Sequence, residues 1–401
     1  MNVLYLSLGD FEDLTAGSVH VDLMRQFSED HNVYIACKSE RRNNKGTKVE
    51  HVDGLNILKI KTGNIKKAGL LEKGLSTIML EYQFINAIKT FFSDVHFDLI
   101  LYTTPPITFA GIVKYFKQRD GAYAYLLLKD IFPQNAVDIG LLKKQGVEGI
   151  VYSFFRYKEK QLYKVSDYIG CMSEANVKYI LAHNELNGNS LEICPNCIIP
   201  NNKSMDEKEK KQMRNKYSLP TDKKIFVYGG NLGKPQGIDF LIQCIDAQRQ
   251  DDRGFFLLIG DGTEYRKLES YIENIKPKNV RLMKSLSRNE YDQLVGCCDV
   301  GMIFLDYRFT IPNFPSRILS YMQAQIPIYA VTDPNTDLGS IIEDNGFGWW
   351  SPSNDVDLFM DKIRAISSQD KCKEMGKNGY NYLCKHYNVL QAYNIIMAHF
   401  N

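Results

Sequence analysis

Short β-rich runs alternate with helical patterns twice along this chain, once on each side of a charged, proline-punctuated break near residue 200. Strands that are apolar at consecutive positions are covered on both faces, and strand–helix–strand alternation returns each new strand parallel to the last. Each half therefore predicts a doubly wound α/β layer. In the first half Val3–Leu8, Asn32–Cys37, Leu55–Ile60, Asp98–Thr103, Ala122–Leu128 and Asp167–Met172 read as strands, with helices near 18–29, 75–93, 107–119, 147–165 and 174–184. In the second, Lys224–Tyr228, Phe255–Ile259, Val280–Met283, Val300–Leu305 and Pro327–Val331 alternate with helices at 237–249, 263–274, 288–297 and 316–324. The polar stretch from Pro195 to Lys224 reads as the linker, and helical periodicity resumes at 355–368 and 370–400 without a strand to follow.

Composition removes several classes of function. Lys plus Arg number 49 against 47 for Asp plus Glu, so the surplus cationic charge that nucleic-acid binding draws on is missing. The nine cysteines are odd in number and mostly sit among apolar neighbours, which reads as reduced thiols. The opening MNVLYLSLGD has no basic start and turns polar early, as a first strand does and a signal peptide does not. No run reaches the ~18 apolar residues of a membrane-spanning helix. These features place the protein in the cytoplasm, with surface attachment to a membrane left open.

In open α/β sheets ligands bind beyond the carboxyl ends of strands, so the loops there carry the chemistry. The most informative is YGGNLGKPQG, Tyr228 to Gly237, between a strand and a helix. Gly230, Asn231 and Gly233 allow backbone to approach an oxyanion and Lys234 adds a point charge, though a tight turn that merely needs glycine reads the same way. NFPSRILSY, Asn313 to Tyr321, puts Pro315, Ser316 and Arg317 at a helix start, where a forked cation suits a diphosphate and where an ordinary capped helix also fits. LIGDGTEYRKL offers Gly260 in an Asp-Gly turn that is structural in part. In the first half Lys129, Asp130 and Pro133 follow an apolar strand, with Asp130 a candidate base, sugar-hydroxyl acceptor or cap, and Gly17 follows Thr15 and Ala16 where a phosphate or acceptor could approach.

Other patterns are empty. Cys194 and Cys197 form one CxxC pair without a second, and the seven histidines make neither HxH nor HExxH, so no metal site is predicted. Lys59, Lys61, Lys66, Lys67 and Lys73 precede an apolar and aromatic helix, which reads as a sheet-covering helix whose exposed start meets a membrane surface.

The order and spacing of KDIFPQNAVDIGLL, DYIGCMSEANVKYI, VYGGNLGKPQGIDFLI, LLIGDGTEYRKL, CDVGMIFL and PNFPSRILSYMQAQIPI resemble a family-4, GT-B-fold glycosyltransferase of bacterial capsule and O-antigen assembly. That resemblance implies two Rossmann-like domains facing across a cleft: residues 1–198 for the acceptor, 199–385 for a nucleotide sugar, and 386–401 as a helix packing back on the first domain. It implies transfer of a sugar, UDP-linked and N-acetylated, with retention, without metal or cofactor, to a polyprenyl-diphosphate-linked saccharide. Other polysaccharide-assembly enzymes would be its partners and the inner membrane face its location. By the same likeness Gly230, Asn231, Gly233 and Lys234 line the diphosphate, Arg317 clamps it, Asn313 to Ser316 and Ser320 surround phosphate and sugar, Lys284 lies near the base, and Gly17 and Asp130 serve the acceptor.

The chain departs from that family where Asn231 and Gln236 stand for an Arg and a Lys, Pro312 and Ser320 for two glutamates, and Lys129 for a His. Two other readings share the architecture: a nucleotide-sugar 2-epimerase, and a catalytically inactive partner subunit.

Overall fold

The computed structural model describes all residues except 10, 12, 13, 15, 16, 44, 45, 65–69, 187, 250, 252, 369 and 401, and leaves the side chains of 70–78 and 189 undescribed as well. The chain divides into two compact units, Met1–Ile199 with Val389–Asn401, and Pro200–Asn388.

The first unit is built on an eight-stranded sheet whose strands are β1 (Asn2–Ser7), β2 (Asn32–Glu40), β3 (Lys48–Val52), β4 (Leu55–Thr62), β5 (Leu99–Thr103), β6 (Tyr123–Leu128), β7 (Tyr168–Cys171) and β8 (Leu191–Ile193). Their order is β3-β4-β2-β1-β5-β6-β7-β8, and every pair is parallel except the edge strand β3 on β4. The order reverses at β1, which pairs β2 on one side and β5 on the other. Loops leaving β1 and β5 therefore diverge at their carboxyl ends.

The second unit repeats the plan with β9 (Lys224–Asn231), β10 (Gly254–Asp261), β11 (Val280–Met283), β12 (Val300–Phe304), β13 (Ile328–Thr332) and β14 (Gly348–Pro352) in the order β11-β10-β9-β12-β13-β14, all parallel. Its reversal point is β9. Phe359, on the helix Val356–Ser368, seats its ring 6.0 Å from both Phe256 and Phe304 of the sheet. All three side chains are buried, and each such burial contributes ~1.5–3 kcal/mol.

Two expected boundaries change. Much of the stretch read as linker is the helix Glu207–Lys216, closed at its start by a capping box between Asp206 and Glu209. Its Arg214 is buried, donating to the Cys297 carbonyl at 2.8 Å and to Asp299 at 2.8 Å, which fastens the helix to the second unit. A dense charge run hides such a helix because only one of its cations is used internally. The tail read as a single helical stretch is two helices broken at Tyr387–Asn388. Cys372–His386 stays with the second unit, while on Val389–Met397 the Tyr393 ring meets Phe27 of the first unit at 4.9 Å. Beyond that helix His399 stacks on Tyr168 at 3.8 Å and bonds Glu192 at 2.9 Å.

Candidate functional site

At the carboxyl end of β9 the strand runs three residues further than the sequence suggests, to Asn231, because Gly260 and Asp261 of β10 continue the pairing with Gly230 and Asn231. A side chain on Gly260 would collide with the Gly230 carbonyl, and one on Gly262 with that of Leu232. Gly260 therefore lets two backbones close on each other. Gly230 itself has φ +123°, a conformation open to glycine, and it faces the guanidinium of Arg317: a side chain there would begin 3.5 Å from Cζ.

Arg317 opens the seven-residue helix Arg317–Gln323 in the loop after β12. Its guanidinium lies 4.4 Å above the centre of the Tyr228 ring. Burial works against its charge, and the oxygens of Tyr228, Tyr321 and Tyr291 outweigh that, so its pKa moves up from the ordinary arginine value. Its Nη1 is buried without a hydrogen-bond partner. An unsatisfied buried donor on a permanent cation costs ~1–3 kcal/mol or more, a cost that an arriving anion removes.

Tyrosines brace this place. The Tyr321 hydroxyl donates to the Met302 carbonyl at 2.9 Å and accepts from Gly229 N–H at 3.2 Å, tying the helix to two strands. Gly229 has no room for a side chain because Tyr291 occupies the space. Tyr321 stands four residues after Arg317, on the same helix face, and that spacing was the sequence signal that would have found it.

The remaining predicted residues separate into groups. Lys234 is exposed at the head of the short turn Lys234–Gln236. Among the described residues it has no ion-pair partner. Asn231 Nδ2 donates to Gln236 Oε1 at 2.9 Å, and the Gly233 amide donates to the same oxygen at 3.2 Å. Gln236 thus shapes the turn from within, and the Gly233 amide, expected to line a phosphate, is already committed. Pro315 and Ser316 lead directly into Arg317, with Ser316 exposed and making no side-chain cap bond. Asn313 holds a second buried unpartnered nitrogen, Nδ2, while its carbonyl accepts from Thr336 at 2.7 Å. Lys284 makes its contacts elsewhere, over the Tyr265 ring at 3.2 Å and 3.8 Å from Glu269.

Ser320 leads to a residue that sequence reasoning missed. Arg288 Nη2 reaches its hydroxyl at 3.3 Å, while Nε is held by Asp292 at 3.0 Å. Asp292 also receives Lys203 at 2.6 Å, so one carboxylate backs two cations. Ser320 lies three residues after Arg317 on the helix, which puts the second guanidinium beside the same face.

In the first unit the strand-end groups are of another kind. Asp130 is half-buried, and burial pushes its carboxyl up to about 6 against the lowering effect of Asn135, which donates to Oδ1 at 2.8 Å. Lys129 is lowered by burial and donates to the Cys194 carbonyl at 3.2 Å. It shares a small pocket with Tyr5, His20, Leu127, Asn196 and Cys197. His20 sits 2.5 Å from the Tyr5 hydroxyl and is pushed down to about 4 by burial and by Lys129. Gly17 takes φ +63° before the helix Val19–Ser28, close to Asp22, which accepts from the Ser18 and Ile199 amides at 3.3 and 3.0 Å. Thr15 and Ala16 lie outside the described residues. Among the described residues no cluster of three or more His, Cys, Asp or Glu is placed to hold a metal, and all nine cysteines are free thiols.

Residues 209–382 match the family model of glycosyl transferases group 1. Over 291 residues the chain is 25% identical to the probable glycosyltransferase WbjE of Pseudomonas aeruginosa, covering 72% of this chain and 70% of that one. Over 131 residues it is 24% identical to the putative colanic acid biosynthesis glycosyl transferase WcaI of Escherichia coli K12, covering 33% of this chain and 32% of that one. Among solved structures, HepE from Anabaena in complex with UDP-glucose superimposes with a TM-score of 0.72 at 12% identity, over 100% of this chain and 99% of that one. The two-unit α/β architecture with parallel sheets is thereby the GT-B fold, and the chain is related to glycosyltransferases.

Proposed function

We propose that the protein transfers a sugar from a UDP-linked donor, with retention of configuration and without a metal ion, to a polyprenyl-diphosphate-linked saccharide in capsule or O-antigen assembly. The observation that carries this reading is Arg317: a charged, half-buried residue whose guanidinium faces the Gly230 turn and whose buried Nη1 has no partner. HepE binds UDP-glucose on the same fold, and WcaI is named for colanic acid biosynthesis, which supports a nucleotide-sugar donor and a polysaccharide product.

Cleaving a glycosyl diphosphate builds positive charge on the sugar ring and negative charge on the departing phosphate. Fixed donors already aimed at that phosphate lower the barrier without reorganising. Arg317 supplies a permanent charge, Lys234 a mobile one from the exposed turn, and the Asn313 amide nitrogen a buried neutral donor. Arg288, next to Ser320, adds a second guanidinium that holds the donor alike in ground and transition state and so serves binding rather than the barrier. On the acceptor side, around Gly17, Asp130 takes the proton of the attacking hydroxyl, a role suited to a carboxyl near 6. The protein acts at the cytoplasmic face of the membrane, beside the enzymes that supply and extend the lipid-linked chain.

The test is a panel of UDP-, GDP- and ADP-sugars offered with and without lipid-linked acceptors. A melting-temperature rise with the UDP-linked members and product only when acceptor is present support the reading. An epimerised sugar from donor alone indicates the 2-epimerase, and donor binding without turnover on any acceptor indicates an inactive partner subunit.

A further inference from the structure

The helix Gly146–Val165 turns an apolar stripe toward solvent. Val147 is 81% exposed, Ile150 72%, Val151 42%, Phe154 43% and Tyr157 59%, at spacings of three and four residues that place them on one face. The opposite face is properly buried through Gly149, Leu162 and Tyr163. This helix therefore has two apolar faces, one serving the core of its unit and one left open to solvent among the described residues. Lys158 pairs with Glu81 at 3.2 Å and so sets the stripe beside the helix Leu70–Phe91, where Tyr82 is 63% exposed.

Cations frame the stripe. Lys143 and Lys144 precede it, and Lys160 and Lys164 follow on the flank, all exposed, against one exposed acid, Glu148, along the helix. In a two-fold pairing of this face with a second copy, the same lysines would line both sides of one seam and repel. An anionic bilayer has the complementary sign, accepts aromatic and aliphatic side chains at head-group depth, and lets lysine ammonium groups remain at the phosphates. The basic stretch that the sequence offered for this role is less suited, because Lys59 is buried on Glu50 at 2.8 Å. Lys66 and Lys67 lie outside the described residues, as does the side chain of Lys73.

We infer that the exposed face of Gly146–Val165 is a docking surface for an anionic membrane, holding the first unit on the lipid that carries the acceptor. The inference deepens the lipid-linked acceptor reading, and it is tested without donor, acceptor or turnover, so its failure leaves the transferase reading standing.

The experiment is sedimentation of the full chain with vesicles of equimolar phosphatidylglycerol and phosphatidylcholine, compared with phosphatidylcholine alone. Expected are binding to the anionic vesicles that weakens with salt, little binding to the neutral ones, and at least a tenfold loss of binding in Ile150→Ser/Phe154→Ser. Lys143→Gln/Lys144→Gln retains weaker binding with a shallower salt dependence. A cooperative melting transition at the wild-type temperature, with no ligand added, reports that each variant is folded. Wild-type protein that stays in solution with anionic vesicles, or a serine variant that binds them equally, overturns the proposal. So does a wild-type dimer that the serine variant converts to monomer, which would make the face an interface between copies.

Discussion

The two sheets reverse their strand order at equivalent places, β1 in the first unit and β9 in the second, yet the groups gathered there are opposite in character. At β9 the fold keeps a charge: tyrosine oxygens outweigh the burial of Arg317, and its pKa moves up. Beside β1 and at the end of β6 the fold suppresses charge: burial drives His20 and Lys129, which share a pocket with Tyr5 of β1, down, and Asp130, the residue after Lys129, up, each toward its neutral form. A permanent cation with an empty donor suits an anion whose charge grows during reaction. A carboxyl raised to about 6 suits the movement of a proton. One fold, used twice, thus holds a charge at one strand end and disfavours charge at another by what surrounds each; in the proposed reaction the first would steady the leaving group and the second would handle the proton.

Removing the cation is the most damaging way to disturb that division. Arg317→Ala is expected to cut turnover more than tenfold, at least ~1.4 kcal/mol of barrier, with the melting temperature of the free protein retained. Arg317→Lys does not restore it, since an ammonium lacks the fork and the stacking on Tyr228. Steady-state assays of both variants decide this, and wild-type rates in either would remove Arg317 from the mechanism.

The proton-handling side is probed by pH. Below about 6 Asp130 is protonated and cannot accept a proton; above it the carboxylate is available, so turnover rises about tenfold from pH 5 to pH 7. Asp130→Asn flattens that limb at a low rate. A rate–pH profile in the variant that keeps the wild-type shape would assign the titration to another group.

Smaller effects sharpen the contrast. Gly260→Ala forces β10 away from the Gly230 carbonyl and should destabilise the protein by ~1–3 kcal/mol, read from denaturant midpoints. Arg288→Gln should raise KM for the donor about threefold to tenfold while kcat stays within a factor of two, as removal of a contact made equally in ground and transition state does.

The sequence carried the strand alternation of both units because buried parallel strands are apolar runs that need no partner to be recognised. It did not show β3, KVEHV, an edge strand with charged positions, or β14, GWWSP, which begins with glycine and ends with proline. At the site, Arg317 and the Gly230 turn were readable because each is a local motif at a strand end. Tyr228 and Tyr321 lie within those same motifs, the latter at helical spacing from Arg317, whereas Tyr291 was not readable, since it comes from a separate segment and reads as a core aromatic on its own. Arg288 was invisible for the same reason: its place beside Ser320 follows from packing between two helices. Gly233 reads in sequence as a phosphate donor while its amide is spent on Gln236, because glycine that shapes a turn is spelled the same way as glycine that admits a phosphate.

The central claim is that Arg317 is held charged and unpartnered for a diphosphate. Calorimetric titration of wild-type protein and Arg317→Ala with UDP and with uridine tests it most directly. The account predicts that UDP affinity falls at least tenfold in the variant while uridine binding is unchanged; equal UDP affinity in the two proteins would contradict it.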